Sequence, residues 1–352
     1  VKPVLGGGGI GMRICGNREE LAETVELSIR LARSAFGRAE IYLERYFPEA
    51  RHVEVQILAD DKGGLIHLFE RECSVQRRFQ KLVEETPSPA LNEEDRERLY
   101  RLALRAAAAI GYVNAGTVEF IYVPGTGSFY FLEVNSRIQV EHPVTEMVTG
   151  VDIVEEQLWI AAGEPLRLSQ NEVERRGHAM EIRVNAEDPY NNFAPSPGVV
   201  ERYLPPGGFA VRVDSGIYEG FEIPPFYDPL VAKLIVWGRS RAEAIKRMRA
   251  AIDMFGISGV STNLPLHRVI LEDDAFIKGD YNTRFLEIRG ILERLPGAAR
   301  EGLKLPPRKA AAARRVEAKP GVNAWSLSAR LLACSDREDV DRRGGVRQRP
   351  IS

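Results

Sequence analysis

At 352 residues, with 44% apolar and 28% charged side chains of both signs, the chain has an ordinary soluble globular composition and room for two domains or a little more. A formal charge of −2 gives it no general attraction to nucleic acid, no apolar run approaches the ~20 residues of a membrane span, and no signal peptide opens it. Cys15, Cys73 and Cys334 are far apart and lack CxxC spacing, so neither a zinc site nor a disulfide framework is indicated, and a reducing cytoplasm or organelle matrix fits best.

The chain opens Val1-Lys2-Pro3, not on Met, and runs at once into Gly6-Gly7-Gly8-Gly9-Ile10-Gly11-Met12. A strand should precede such a loop and almost none does, so the sequence reads as a fragment or processed chain whose fold is incomplete at that edge. A helix follows: Asn17 caps it with Glu20 three residues on, Leu21, Val25, Ile29, Ala32 and Phe36 recur at helical spacing, and Gly37 stops it. Residues 52–58 alternate strictly, with Val53, Val55 and Ile57 on one side and His52, Glu54 and Gln56 on the other, as in a strand. The stretch Arg71 to Lys81 is polar, basic and without amphipathic order, which predicts a loop. A second helix is expected from about Glu93 to Ile110, capped by Asn92, burying Leu99, Leu102, Ala106 and Ile110 and ended by Gly111. Residues 117–123 and 129–135 predict two strands around the turn Pro124 to Ser128. From about Arg176 the texture becomes short strands split by Pro and Gly, then a helix near 241–255, which places a domain boundary near 175.

The last part differs in charge. Residues 1–295 hold 35 Lys/Arg against 44 Asp/Glu, whereas 296–352 hold 13 against 6. With weak apolar periodicity, this tail reads as a flexible linker or aberrant translation product in preference to a basic partner-binding segment.

Several segments suggest chemistry. If the 124–128 turn is centred on Thr126, Glu119 sits opposite Glu133 on one sheet face, with Asn135 beside Glu133. Facing carboxylates repel and destabilise a sheet unless a divalent cation such as Mg²⁺ bridges them. A solvated face on which the charges splay apart fits equally well. The glycine run lets backbone N–H groups approach phosphate, although a merely flexible loop would look the same, and it is neither a Walker A loop nor a dinucleotide fingerprint. Lys2 beside it is a candidate phosphate contact or a plain surface lysine. In the 71–81 stretch, Arg and Lys suit an anion-handling loop, with a solvated loop the default. In Asn135-Ser136-Arg137-Ile138-Gln139-Val140-Glu141-His142, Arg137 and Gln139 suit a small planar oxyanion and Glu141 a proton acceptor. If that segment is extended, Arg137, Gln139 and Glu141 share a side.

The strings GGGGIGMR, RHVEVQ, ERECSVQRRFQKLVEE, FLEVNSRIQVEHPVTEM, GHAMEIRVNAEDP and YDPLVAKLI, in this order over residues 1 to about 290, resemble the biotin carboxylase family. RIQVEHPVTE is the most specific, since other ATP-grasp enzymes such as carbamoyl phosphate synthetase share the glycine loop and metal strand but not that run. The resemblance implies an α+β chain: an ATP-grasp fold, incomplete at the N-terminus, followed by a biotin carboxylase C-terminal α+β domain. The expected division is 1–45, a lid remnant with the glycine loop; 46–175, the core with metal and bicarbonate sites; 176–295, the C-terminal domain; and 296–352, a disordered basic tail.

The resemblance also implies roles. Lys2, Gly7, Gly8, Gly9 and Met12 would handle ATP from a mobile lid; Glu44 would bind near the adenine; His52 and Gln76 would contact ribose or phosphates. Glu119 and Glu133, with Asn135, would hold Mg²⁺ or Mn²⁺. Lys81, Arg137, Gln139 and the Val140 backbone would hold bicarbonate, Glu141 would deprotonate it, and Arg183 would stabilise the biotin enolate. The implied reaction runs through carboxyphosphate to carboxybiotin, ADP and phosphate in the cytoplasm. Biotin would arrive on a separate carrier protein or domain, as no Met-Lys-Met signature occurs here. Carboxyltransferase subunits would be further partners, the intact enzyme a homodimer, and neither nucleic acid nor membrane is expected. Phe79 stands where some members have a nucleotide-contacting histidine, and Ile10 replaces an arginine of the glycine loop. Rival readings are another carboxylating ATP-grasp ligase, or a truncated remnant that binds only nucleotide or a partner.

Overall fold

The computed structural model describes residues 1–4, 11–38 and 40–295. The expectations for Gly7, Gly8 and Gly9 and for the 296–352 tail lie outside the described residues. A short hairpin of β1 (Lys2–Pro3) and β2 (Ile41–Tyr42) brackets helix α1 (Arg18–Phe36). The expected cap is present: Asn17 Oδ1 accepts from Glu20 N–H at 2.8 Å, while Glu20 Oε1 accepts from Asn17 Nδ2 at 2.7 Å and Glu20 Oε2 from Gly16 N–H at 2.8 Å. Gly37, at φ +72°, ends the helix in the left-handed region.

The rest is organised by one eight-stranded antiparallel sheet. Its first strands are β3 (Arg51–Ala59), β4 (Leu65–Arg77) and β5 (Gln80–Thr86). After helix α2 (Glu93–Ala109) come β6 (Asn114–Val123) and β7 (Ser128–Asn135), then helices α3 (His142–Thr149) and α4 (Ile153–Ala161). Strands β8 (His178–Asn185), β9 (Val211–Ser215) and β10 (Leu230–Gly238) extend the same sheet, and helices α5 (Arg241–Met254) and α6 (Leu264–Glu272) follow. The spatial order is β9-β10-β8-β5-β4-β3-β6-β7, so the sheet runs across residue 175. Among the described residues, no helix is long and apolar enough to cross a membrane.

Two expectations need correction. The 71–81 stretch is no loop: it is the end of β4 and the start of β5, turned at Arg78 and Phe79, both at positive φ. Arg71 and Glu72 in it are buried yet paired across strands, with Glu54 and Arg51 of β3, and apolar periodicity cannot register that pattern. Helix α2 starts at its Asn92 cap as expected but is rotated. Arg96, Leu99, Tyr100, Ala103 and Ala107 are buried, whereas Ile110 is 62% exposed. Arg96 Nε donates to Glu70 at 2.9 Å and the Tyr100 hydroxyl bonds the same carboxylate. The small Ala103 and Ala107 let the helix lie on Val53, Val55 and Ile57. The alternation of 52–58 therefore does its expected work, committing the apolar side to α2 and leaving the polar side to the opposite face.

Entry into β8 depends on Gly177 at φ +71°, where an added Cβ would meet the Gly238 carbonyl oxygen at 2.4 Å. Backbone cannot retreat as a flexible side chain can. Gly177→Ala is expected to cost about 1–3 kcal/mol of stability, read from the urea unfolding midpoint.

Candidate active site

The polar sheet face holds a line of charges. Across adjacent strands, Arg71 pairs with Glu54, Glu54 with Glu119, and Glu119 with Glu133. The Glu119–Glu133 pairing is the expected one. Nearer the turn the register slips between Glu119 and Phe120, so that Phe120 pairs with Phe131 and the connection shortens to residues 124–127. Opposed residues of an antiparallel pair share a face, and Asn135 Nδ2 reaches Glu119 Oε1 at 3.1 Å and Glu133 Oε1 at 3.5 Å. The predicted trio is therefore together.

Buried carboxylates this close require cations. Lys81, from β5, places Nζ 2.6 Å from Glu54 Oε2, 3.0 Å from Glu119 Oε1 and 2.6 Å from Glu141 Oε1. Burial works against its charge, but Glu141 and Glu54 outweigh burial and raise its pKa well above that of an ordinary lysine. His52 Nε2 lies 3.0 Å from Glu119 Oε2, and His52 Nδ1 is 2.9 Å from Gln76 Nε2, so His52 and Gln76 join the site as a pair. Burial alone would raise the Glu119 carboxyl; His52, Lys81 and the Gln139 amide hold it well below the usual carboxylate range.

Glu141 stands at the N-cap position of α3 without a side-chain capping bond and is 1% exposed. Its Oε1 accepts from Lys81 and its Oε2 from Arg183 Nη2 at 2.8 Å. Burial pushes its carboxyl up, but Lys81, Arg183 and Arg71 prevail and keep it ionised far below its ordinary value. Arg183 comes from β8, some forty residues on in sequence. The sheet order, with β8 beside β5, brings it to Glu141.

The segment 137–141 is not extended, which corrects the alternation argument. It bends at Arg137 and turns at Val140–Glu141, where His142 N–H donates to the Gln139 carbonyl at 3.3 Å. With Pro143 in the first turn of α3, the chain must leave strand geometry before that helix. Gln139 is buried, its Nε2 donating to Glu119 Oε1 at 2.8 Å. Arg137 stays outside this cluster, exposed, with Nη1 on the Ile138 carbonyl at 3.1 Å.

On β1, Lys2 Nζ lies 3.7 Å from Glu44 Oε1. Burial lowers the Lys2 pKa, but Tyr42, Glu44 and Glu133 more than reverse this. Met12 is half-buried, just beyond Gly11 at φ +80°.

Sequence reading gave no role to three residues at the centre. Glu54 binds Lys81 and Arg71. Arg71, fully buried, donates to Glu54 Oε1 (2.6 Å), Gln56 Oε1 (2.7 Å), Thr117 Oγ1 (3.0 Å), Thr145 Oγ1 (3.1 Å) and Gln139 Oε1 (3.2 Å). Lys233, on β10, donates to the Val140 carbonyl at 3.1 Å. The polar side of the 52–58 alternation was the available signal for Glu54; Arg71 and Lys233 had none outside their motifs.

The donors fit a hard divalent cation. Glu119 and Glu133 offer carboxylate oxygens and Asn135 an amide oxygen, and exposed Glu133 leaves the outer side open to water or phosphate. His52, Glu54 and Glu119 also bring ligand atoms within 4.8 Å of one another.

Residues 1–169 match the model of the carbamoyl-phosphate synthase L chain ATP-binding domain, and 181–288 that of the biotin carboxylase C-terminal domain. A pyruvate carboxylase subunit of Methanothermobacter thermautotrophicus is 52% identical over 287 residues, covering 82% of this chain and 58% of that protein. Biotin carboxylase 1 of Bacillus subtilis is 51% identical over 292 residues, covering 83% and 65%. The chain thus spans about three fifths of the length of these curated relatives. Among solved structures, the biotin carboxylase domain dimer of Hydrogenobacter thermophilus 2-oxoglutarate carboxylase, in complex with MgADP, ADP and bicarbonate, aligns with TM-score 0.80 and 51% identity over 83% of this chain and 64% of that one. Campylobacter jejuni biotin carboxylase in its β-γ-ATP complex aligns with TM-score 0.78 and 43% identity over 80% and 63%. The fold is therefore the ATP-grasp arrangement of those enzymes, continued into their C-terminal domain, and the chain belongs to the biotin carboxylase family.

Proposed function

We propose that this chain carries the ATP- and Mg²⁺-dependent carboxylation of biotin by bicarbonate, giving carboxybiotin, ADP and phosphate. The observation that carries the reading is the meeting of Lys81, Glu141 and Arg183, from three separate segments, beside the Glu119–Glu133 row. Residues up to 175 supply the nucleotide, metal and base groups; the part from 176 supplies Arg183 and Lys233.

Bicarbonate enters between Lys81 and Glu141, held also by Gln139, the Val140 backbone and Arg137 once its guanidinium leaves the Ile138 carbonyl. The ion pairs make Glu141 a weak base while the site is empty. An anion that draws Lys81 and Arg183 toward itself restores basicity to Glu141 as it arrives, and fixed geometry supplies the remaining advantage. Glu141 takes the proton; the bicarbonate oxygen bonds to the γ-phosphorus of ATP as the bond to the ADP oxygen breaks. Lys2 and Met12 contact the phosphates, and Glu44, His52 and Gln76 hold the nucleotide. Mg²⁺ held by Glu119, Glu133 and Asn135 offsets charge on the phosphoryl oxygens. Carboxyphosphate then releases CO₂ and phosphate, phosphate removes the biotin N1 proton, and the enolate takes up CO₂ beside Arg183.

Biotin is expected on a separate carrier, with carboxyltransferase subunits as further partners and a homodimer as the assembly. The relatives named as subunits or domains of pyruvate and 2-oxoglutarate carboxylases support this. The test is ADP release by this chain, and by this chain joined to the N-terminal segment of the Bacillus relative, with ATP, Mg²⁺, bicarbonate and free biotin. Dependence on bicarbonate and biotin supports the reading. MgATP binding without such release in both proteins favours a nucleotide-binding remnant. Glu133→Gln is expected to raise the Mg²⁺ requirement at least about tenfold by removing a charged ligand, a loss on the order of 1.4 kcal/mol. Unchanged turnover at limiting Mg²⁺ would remove Glu133 from the metal site.

A further inference from the structure

Behind Arg183 lies a second pair of acids that the steps above do not use. Glu84 on β5 and Glu181 on β8 are directly opposed, and both are fully buried. Glu84 Oε1 accepts from Arg183 Nε at 2.6 Å, while its Oε2 and both carboxyl oxygens of Glu181 are buried without hydrogen-bond partners among the described residues. Three unpartnered acceptor atoms on facing carboxylates would carry a heavy desolvation and repulsion penalty if both groups were ionised. One proton removes the conflict, because a protonated carboxyl becomes a donor to its neighbour.

We propose that Glu84 and Glu181 share one proton, and that the pair, bearing a single negative charge, positions Arg183 from behind, making Glu84 a positioning residue for biotin carboxylation. Arg183 is gripped on two sides, Nε by Glu84 and Nη2 by Glu141. A singly charged pair fixes the guanidinium plane while leaving its charge available to Glu141 and the reacting groups.

The surroundings agree. The charges acting on Glu181 are Glu84 on β5, Lys233 on β10, Arg183 on its own strand and Glu141; helix α3, which packs against β5, β8 and β10, carries His142 and Glu146, and Glu146 Oε2 accepts from Arg212 Nη1 at 2.7 Å. Helices α5 and α6 pack on the other face with Met180 and Ile182; from there His267 Nε2 bonds the Arg183 carbonyl at 2.8 Å, and Arg241 binds Glu85. Burial, then the Glu84 charge, drives the Glu181 carboxyl well above its ordinary value despite Lys233 and Arg183. Burial also pushes Glu84 up to about 7 against the pull of Arg183.

That Arg183 is aimed for a reaction rests on the proposed function; the shared proton does not, and the experiment separates the two. Infrared spectra of this chain near neutral pH, with glutamate carboxyls ¹³C-labelled, should show a protonated carboxyl band that E181Q loses. A folded group that holds its proton above its unfolded pKa makes the folded state bind more protons, so stability falls as pH rises. E181Q, keeping a donor but not the titration, should therefore gain on the parent by about 5 °C or more in Tm between about pH 5 and about pH 8. Absence of the band in the parent overturns the shared proton even if E181Q fails to fold, and so do parallel Tm profiles. For positioning, E84Q should lower biotin-dependent kcat about a hundredfold, with bicarbonate-dependent ATP cleavage much less affected and Glu84→Asp partly restoring it. An equal loss in both activities overturns the positioning role.

Discussion

Replacing Glu141 with Gln should lower the proposed bicarbonate-dependent ATP cleavage by about 10²–10⁴-fold, the range for loss of a positioned general base, while nucleotide binding persists. The two side chains are nearly isosteric, so the comparison isolates charge and proton acceptance. Folding should survive, because Lys81 keeps Glu54 and Glu119 and Arg183 keeps Glu84. Some stability is lost, at most about the 3–5 kcal/mol of a broken buried ion pair. Its pH dependence has a definite sign. The folded-state carboxyl is depressed below the ordinary value of 4.5, so its contribution is fully present above that value and is lost as pH falls through the lower folded value. Unfolding of parent and variant should therefore differ most near neutral pH and converge in acid. Near-normal cleavage in the variant would remove Glu141 from the role of base.

Arg71→Met should cost about 3–5 kcal/mol in urea unfolding, among the largest expected for a single change here. The guanidinium is fully buried and donates five hydrogen bonds, to residues of β3, β6, α3 and the segment before α3. Without it, Glu54 keeps Lys81 at 2.6 Å and, more distantly, His52 at 3.8 Å, and the oxygens of Gln56 and Gln139 lose a donor in a dry layer. Pairing the change with Glu54→Gln should return part of the loss, since the uncompensated charge disappears; strict additivity would show that the two are not coupled. Because Arg71 also pins Gln139, Arg71→Met should weaken bicarbonate use as well as stability, so the two readouts are expected to fall together.

Much that is local was legible in the residues alone. The Asn17 and Asn92 caps set both helix starts, since a cap is satisfied within three residues. Alternation over 52–58 assigned its two faces, and the spacing around Thr126 placed Glu119 against Glu133 even though a bulge lies beside that pair. Family motifs named Lys81, Glu141 and Arg183, but nothing in their spacing joins them. The sheet order does, by laying β8 beside β5. Tertiary packing alone decided that 71–77 is a buried charged strand, that α2 turns Tyr100 and Ala103 inward, that Arg137 remains outside the cluster, and that Glu84 meets Glu181. The physical reason is common to these cases. Caps and alternation are settled by neighbours in the chain, whereas burying a charge becomes tolerable only when a partner arrives from a distant strand, and no local pattern records where that partner lies.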